Sequence, residues 1–345
     1  MAQKKVSIND IAKSLGVSKT LVSLVLNNHA DEHGIAKKTQ KRVHDKVKEM
    51  NYKPNLMARG LRLGKSNTIG LIVSDIANPF YSKIARHLED FVTQKGYTLI
   101  ICSTDEKIDK EIKLTRMLRN RQVDGLVISS SQEENNEFQH MLKEHFPFVL
   151  IDRQVPNLEA NFVGVDNFNG AYKATSQLIK QGYKKIAVFA VTPVHVSSIH
   201  DRVEGYFQAL KDHKLPVDKS LYKKIPFESI KQSVETELTG LMKSDKKIDA
   251  LFAVNNRIAL ACLEVMSEMK INMPKDLALI CFDDIELFKF NNPPISAISQ
   301  PIEEIAQHAA EILFDEILSE SKDTKKKKVE KLKTNLVLRH SSMSL

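Results

Sequence analysis

The sequence predicts a small all-α domain of three helices followed by a larger α/β domain of two lobes. Three observations carry that expectation. Helical periodicity in the first fifty residues is short and bounded by cap and turn residues. From Thr68 onward, short apolar runs alternate with helical stretches, the pattern of a doubly wound parallel sheet. The charge is also divided: residues 1–65 hold 14 of the 51 Lys/Arg and 5 of the 43 Asp/Glu, and the rest of the chain holds 37 and 38. At 345 residues the chain is too long for one ordinary domain.

In the head, Ile8, Ile11, Ala12 and Leu15 recur at helical spacing, with Ser7 as N-cap and Asp10 three residues on in the manner of a capping box. Gly16 breaks the run. Ser18 caps a second helix with Val22, Val25 and Leu26 facing in, and Asn27-Asn28 ends it. A third helix covers roughly 37–50, with Val43, Val47 and Met50 inward. Three short helices with a turn centred on Gly16 describe a helix-turn-helix unit. In such a unit the second helix lies in the major groove and its first polar residues reach base edges. Those residues here are Ser18, Lys19, Thr20 and Ser23, with Asn27 near the far end. A basic head on a neutral body is the electrostatic footprint of a nucleic-acid binder.

The string SINDIAKSLGVSKTLVSLVLNN, followed by TQKRVHDKVKEMNYKPNLMARGLRLGKSNTIGLIVSDIANPF, resembles the head, hinge and first strand of the lactose-repressor (LacI) family. The similarity continues almost to the C-terminus. The resemblance implies that Lys19, Thr20 and Ser23 make base or phosphate contacts to double-stranded operator DNA. Leu24 stands where family members usually place an arginine, Leu21 where a threonine is usual, and the 29–34 loop is longer. The segment from Asn55 to Leu63 is too short to be a stable helix alone. The resemblance implies a hinge that pairs with its dimer mate in the minor groove, wedging Leu61 between base steps. Asn55, Ala58 and Arg59 match the neighbours of that leucine. The expected divisions are a helix-turn-helix domain at 1–51, a hinge at 52–66 and an effector and dimerisation domain at 67–345.

In the body, strand-like runs are expected at 69–73, 97–102, 125–129, 148–151, 185–191, 250–254 and 277–282. Helical patterns lie between them, such as Phe80, Ile84, Leu88 and Phe91. Later helical stretches run from Ala171 to Gln181, Arg202 to Leu210 and Arg257 to Met269. Two such units, with a crossover near 295–300, resemble a periplasmic-binding-protein-like pair of lobes. By that resemblance the chain crosses between lobes three times, lobe one covering about 67–164 and 296–324, lobe two about 165–295 and 325–345. Ligands of open α/β sheets bind beyond the carboxyl ends of the strands. The residues there are Asp75, Asn78, Phe80, Asp152-Arg153, Asn255-Asn256 and Asp283-Asp284. Carboxylates and amides beside an aromatic ring suit a polyhydroxylated ligand. The resemblance adds Arg202, Phe227 and Gln300 as cleft-facing positions. Asn256 replaces a usual aspartate, and Cys281 a usual glycine.

Other function classes find less support. No segment has the ~18 uninterrupted apolar residues of a membrane span. The N-terminus places no apolar core behind its cations, so export is not expected. Cys102, Cys262 and Cys281 sit in apolar runs without metal or redox spacing and read as buried thiols in a reducing cytoplasm. No G-x-G-x-x-G, P-loop or nucleophile–base cluster points to an enzyme, a cofactor or a metal. A sugar-binding transport protein would share the body but have no use for the basic head. A purine- or nucleoside-responsive regulator is a further alternative. The expectation is therefore a cytoplasmic homodimeric transcriptional regulator, a repressor controlled by a sugar or sugar derivative. No heptad follows Arg339 to build a tetramer.

Overall fold

The computed structural model describes residues 6–52, 65–243, 247–319 and 326–344. The chain divides into two compact units, Met1–Ser66 and Asn67–Leu345.

The head folds as α1 (Ile8–Leu15), α2 (Lys19–Leu26) and α3 (Lys37–Glu49). The expected capping box is present: the Asp10 amide donates to Ser7 Oγ and the Ser7 amide to Asp10 Oδ2, at 3.3 and 2.8 Å. Both bonds satisfy helix-terminal donors that lack an intrahelical partner. Gly16 takes φ 67°, a left-handed value that glycine adopts without a Cβ clash, and so turns α1 towards α2. The Leu21 amide donates to Ser18 Oγ at 3.1 Å. Ile11, Ala12, Val22, Val25, Ala30 and Val43 form one small core. Val47, Met50 and Leu26 are half-buried against it.

The body holds two six-stranded sheets. The first is built from β1 (Thr68–Val73), β2 (Thr98–Ser103), β3 (Gly125–Ile128), β4 (Phe148–Ile151), β5 (Phe162–Val165) and β11 (Val329–Leu332), in the order β11-β5-β4-β3-β1-β2. The second is built from β6 (Ile186–Val191), β7 (Tyr222–Ile225), β8 (Ala250–Ala253), β9 (Ala278–Phe282), β10 (Ser296–Ser299) and β12 (Asn335–Val337), in the order β12-β10-β9-β8-β6-β7. All pairings are parallel except β10 with β12. The central strands β1, β3, β4, β6, β8 and β9 are almost wholly buried. That accounts for their unbroken apolar runs: a parallel sheet covered on both faces has no wet side.

Two expectations about the lobes need correction. The segment near 295–300 is a strand of the second sheet, so the return to the first lobe falls after Ser299. The helix Ile302–Ile317 then packs on β3, β4, β5 and the helix Pro79–Gln94. Val329–Leu332 belongs to the first sheet, pairing with β5, so the last crossing falls between Leu332 and Asn335. Strands β5, β7, β10, β11 and β12 go beyond those the sequence pattern predicts. β7 carries Lys223-Lys224, and β11 reads Val-Glu-Lys-Leu at an exposed edge. Short polar edge strands give little periodic signal.

In the second lobe the helices Asn167–Lys180 and Ser197–Asp212 approach closely through Gly205. A Cβ there would sit 2.3 Å from the Phe168 carbonyl oxygen.

Candidate functional site

In the head, the residues expected to read DNA occupy α2. Ser18, Lys19 and Thr20 are exposed on its first turn. Ser23 and Asn27 are half-buried, and Asn27 Nδ2 donates to the Ser23 carbonyl at 2.7 Å and to Ser23 Oγ at 3.2 Å. The amide thus also closes the end of its own helix. Asn55, Ala58, Arg59 and Leu61 lie outside the described residues.

In the body, all eight side chains expected at the ligand site line one cleft between the carboxyl ends of the two sheets. They are Asn78, Phe80, Asp152, Arg202, Phe227, Asn255, Asp283 and Gln300. The cleft encloses about 440 Å³ including its open mouth. Two of the eight have structural duties as well. Asn78 and Asn255 are N-caps, accepting from the Phe80 amide at 3.0 Å and the Ile258 amide at 2.9 Å. Their helices, Pro79–Gln94 and Asn256–Glu268, therefore start at the cleft from opposite lobes.

Arg202 is the best-held group of the second lobe. It is 3% exposed, and its planar guanidinium stacks 3.7 Å from the Phe282 ring centroid. Nε donates to Asn167 Oδ1 and Nη1 to the Val254 carbonyl, each at 2.8 Å. Asp152 and Asp283 stand 4.0 Å from it on either side. Both aspartates have left-handed backbone, φ 62° and 80°, a strained conformation for a residue with a Cβ. Asp152 accepts from the Tyr81 hydroxyl at 2.8 Å, and Asp283 from Gln300 Nε2 at 2.5 Å. Burial pushes the Asp283 carboxyl above its ordinary range, against the opposing pull of Arg202 and the Gln300 amide.

Further residues at the site give weaker signals in sequence. Arg153 grips Glu106 in a two-pronged pair, 2.7 and 2.6 Å, and donates to Ser131 Oγ at 2.8 Å. Burial pushes the Glu106 carboxyl up, but the charge and hydrogen bonds of Arg153 outweigh it and hold the acid below its usual value. Arg257 pairs with Asp75 across the lobes and lies 4.9 Å over the Phe227 ring. Asn256 Nδ2 donates to Asn78 Oδ1 at 2.8 Å, a second bond between lobes. A third joins the Gln154 amide to Ser197 Oγ at 2.8 Å, and His195 adds contacts to Ser131 and Glu133. Arg257 is marked in sequence only by its place just inside a helix that opens with two asparagines. Glu106 has no periodic or motif signal. Asp284, considered with Asp283 as a cation site, is taken up by Arg339 in a two-pronged pair at 2.8 Å. Among the described residues no group of acids, histidines and cysteines is arranged to hold a metal, and no helix is long and apolar enough to cross a membrane.

Comparison with known proteins places this geometry among regulators. Residues 7–55 match the family model described as bacterial regulatory proteins, lacI family, and residues 175–342 that of a periplasmic binding protein-like domain. The HTH-type transcriptional regulator DegA of Bacillus subtilis (strain 168) is 31% identical, the alignment covering 99% of each chain. The HTH-type transcriptional repressor PurR of Vibrio atlanticus (strain LGP32) is also 31% identical, over 90% of this chain and 92% of its own. Among solved structures, the transcriptional regulator CelR in complex with cellobiose superposes with a TM-score of 0.70 at 26% identity, over 98% of this chain and 100% of that one.

Proposed function

Since the chain belongs to the lacI family of bacterial regulatory proteins, we propose that it binds operator DNA as a homodimer and represses transcription under control of a sugar or sugar derivative held between its lobes. The observation that carries the effector half is the cleft itself, where charged and amide groups from both lobes converge beside Phe80 and Phe227. Arg202 presents donors, and Asp152 and Asp283 present acceptors, the complement a ring bearing hydroxyl groups requires. Aromatic faces at the same cleft suit the apolar C–H surface of a sugar ring. DegA and PurR are named as HTH-type regulators, and CelR is described with cellobiose; these names support the reading. The PurR likeness also keeps a purine effector as the second reading.

Lys19 and Thr20, exposed at the start of α2, would contact bases or phosphates in the major groove. Leu61, with Asn55, Ala58 and Arg59 beside it, would enter the minor groove from a hinge ordered by DNA and by the partner's hinge. Effector binding would shift the balance between two arrangements of the lobes and so alter how the hinges pair. A coupling of ~1–3 kcal/mol is enough to change operator occupancy several-fold or more.

The test has two arms. Operator affinity, measured by fluorescence anisotropy, should fall steeply with salt as counterions are released, while sugar affinity stays nearly constant. A thermal-shift screen of sugars then identifies the effector, and calorimetry with and without operator must give the same coupling factor from either direction. Salt-independent DNA binding, or sugar affinity indifferent to operator, ends the proposal.

A further inference from the structure

His195 stands just ahead of the helix Ser197–Asp212 of the second lobe, and its ring reaches across to the loop that follows β3 in the first. Nε2 lies 3.0 Å from the Ser131 carbonyl oxygen, and Nδ1 lies 2.8 Å from Glu133 Oε1. Both neighbours are acceptors. A neutral imidazole carries one N–H and one lone pair, whereas the imidazolium carries two N–H groups. Either neutral tautomer therefore turns a lone pair onto an oxygen. The charged ring alone suits both neighbours at once.

Ser131 is pinned, so its carbonyl is a fixed acceptor. Its amide donates to Glu111 Oε2 at 2.8 Å, and its hydroxyl donates to Glu106 Oε2 at 2.6 Å and accepts from Arg153 at 2.8 Å. Glu111 also accepts from Ser130 Oγ at 2.6 Å and from Gln132 Nε2 at 2.7 Å. The charged groups behind the loop are thus Glu111, Glu106 and Arg153, while Glu133 meets the ring itself. The other bridges between the lobes are of a different kind. Gln154 with Ser197 and Asn256 with Asn78 are neutral pairs. Arg257 with Asp75 joins a carboxylate to a guanidinium that stays charged throughout. Among these described bridges, His195 is the one group of a type whose charge changes between about pH 5 and 8.

We propose that His195 is a proton-dependent latch between the lobes: the closed arrangement holds a proton on the ring that the open one releases. The inference rests on the reading that the lobes open and close, and it requires neither a sugar nor DNA. Its sign follows from linkage. A closed state that binds the proton more tightly gains population as pH falls through the histidine range and loses that gain as pH rises above it. The side chains of His195 and Glu133 are 30% and 64% exposed, so the pair acts as a surface pair, worth about two- to fivefold in the ratio of closed to open. An effector that draws the lobes together would take up the same proton.

The test is amide hydrogen exchange on the full-length protein without ligand. The Gln154 amide donates across the lobes to Ser197 Oγ, so its protection reads closure. The Ser129 amide donates to the Ile72 carbonyl within the first sheet and serves as the internal reference. Corrected for the intrinsic pH dependence of exchange, native Gln154 protection should be about two- to fivefold greater at about pH 5.5 than at about pH 8, with Ser129 unchanged. Glu133→Gln sets an amide donor beside Nδ1, which a neutral ring can accept from, so the variant's Gln154 protection should be flat across that range. His195→Gln should lower the acid value to the native alkaline one. A flat native profile overturns the proposal, and so does one in which Gln154 only follows Ser129. A Glu133→Gln variant that keeps the native slope also overturns it, assigning the titration to Glu111 or Asp283, whose carboxyls burial pushes up. None of these results bears on the regulatory reading, which is decided separately by operator and effector binding.

Discussion

Replacing Arg202 with methionine removes a buried cation of similar length and leaves four partners behind. The Asn167 side-chain oxygen and the Val254 carbonyl each lose a hydrogen bond from a charged donor, about 1.5–3 kcal/mol apiece. Asp283, under 10% exposed, loses its counter-charge, whereas Asp152 keeps Arg153 Nε at 3.3 Å. Breaking a buried pair by removing one member costs about 3–5 kcal/mol, and that range is the expected loss for the body at pH 7. The methionine recovers part of the stacking on Phe282, so the upper end is not reached. The loss should also depend on pH, and its sign follows from Asp283. Burial already holds this carboxyl above its ordinary value, and losing Arg202 raises it further. An acid whose native pKa lies above its unfolded value binds protons more tightly when folded. Stability therefore falls as pH rises through the window between the two values, and the penalty is complete above the native one. The window begins near the ordinary aspartate value of 3.8 and extends further upward in the variant than in the native protein. Urea unfolding at pH 7 and at about pH 4.5 measures both quantities. A variant within about 1 kcal/mol of native at pH 7, or a deficit that does not shrink in acid, would refute the reasoning.

Three other outcomes are expected. Lys19→Ala should weaken operator binding similarly across sequences and reduce the slope of log affinity against log salt by about one if it contacts a phosphate; anisotropy titrations at several salt concentrations decide it. Leu61→Ala should lose operator affinity while calorimetric effector affinity stays at the native value, and unchanged operator binding would remove the wedge. Gly205→Ala drives a methyl group to 2.3 Å from the Phe168 carbonyl and should cost about 1–3 kcal/mol, seen as a lowered melting temperature with the head's DNA affinity retained.

Much of the layout is legible in the sequence because burial in this chain is nearly binary. Strands covered on both faces, such as Ile186–Val191 and Ala278–Phe282, are apolar from end to end and announce themselves. The cap residues do the same for the head: Ser7 with Asp10, and Ser18, mark helix starts by chemistry that few other arrangements need. The cleft residues at strand ends, such as Asp152 and Asp283, are legible for a topological reason, since strand ends can be located without knowing any contact; Arg202, Phe227 and Gln300 come from the family resemblance alone. What sequence reasoning misses depends on partners distant along the chain. Val329–Leu332 is a strand because β5 offers it a ladder, and its own alternation is weak. Ser296–Ser299 reads as a connection because nothing local says which sheet accepts it. The Arg153–Glu106 and Arg257–Asp75 pairs join residues 47 and 182 positions apart, and no spacing rule reaches that far.

The interleaving of the two sheets sets an order of events at the ribosome. The head is complete once the first fifty or so residues have emerged. By contrast, the lobe that begins at Thr68 lacks its outermost strand until Val329–Leu332 has been made. At ~5–20 residues/s, the roughly 160 residues between Val165 and Val329 take about 10–30 s to synthesise. For that interval the nascent chain carries a folded DNA reader tethered to an unfinished sensor whose β5 edge lies open. A chaperone that shields an exposed strand edge, or slow codons placed after β5, would act on this species in particular.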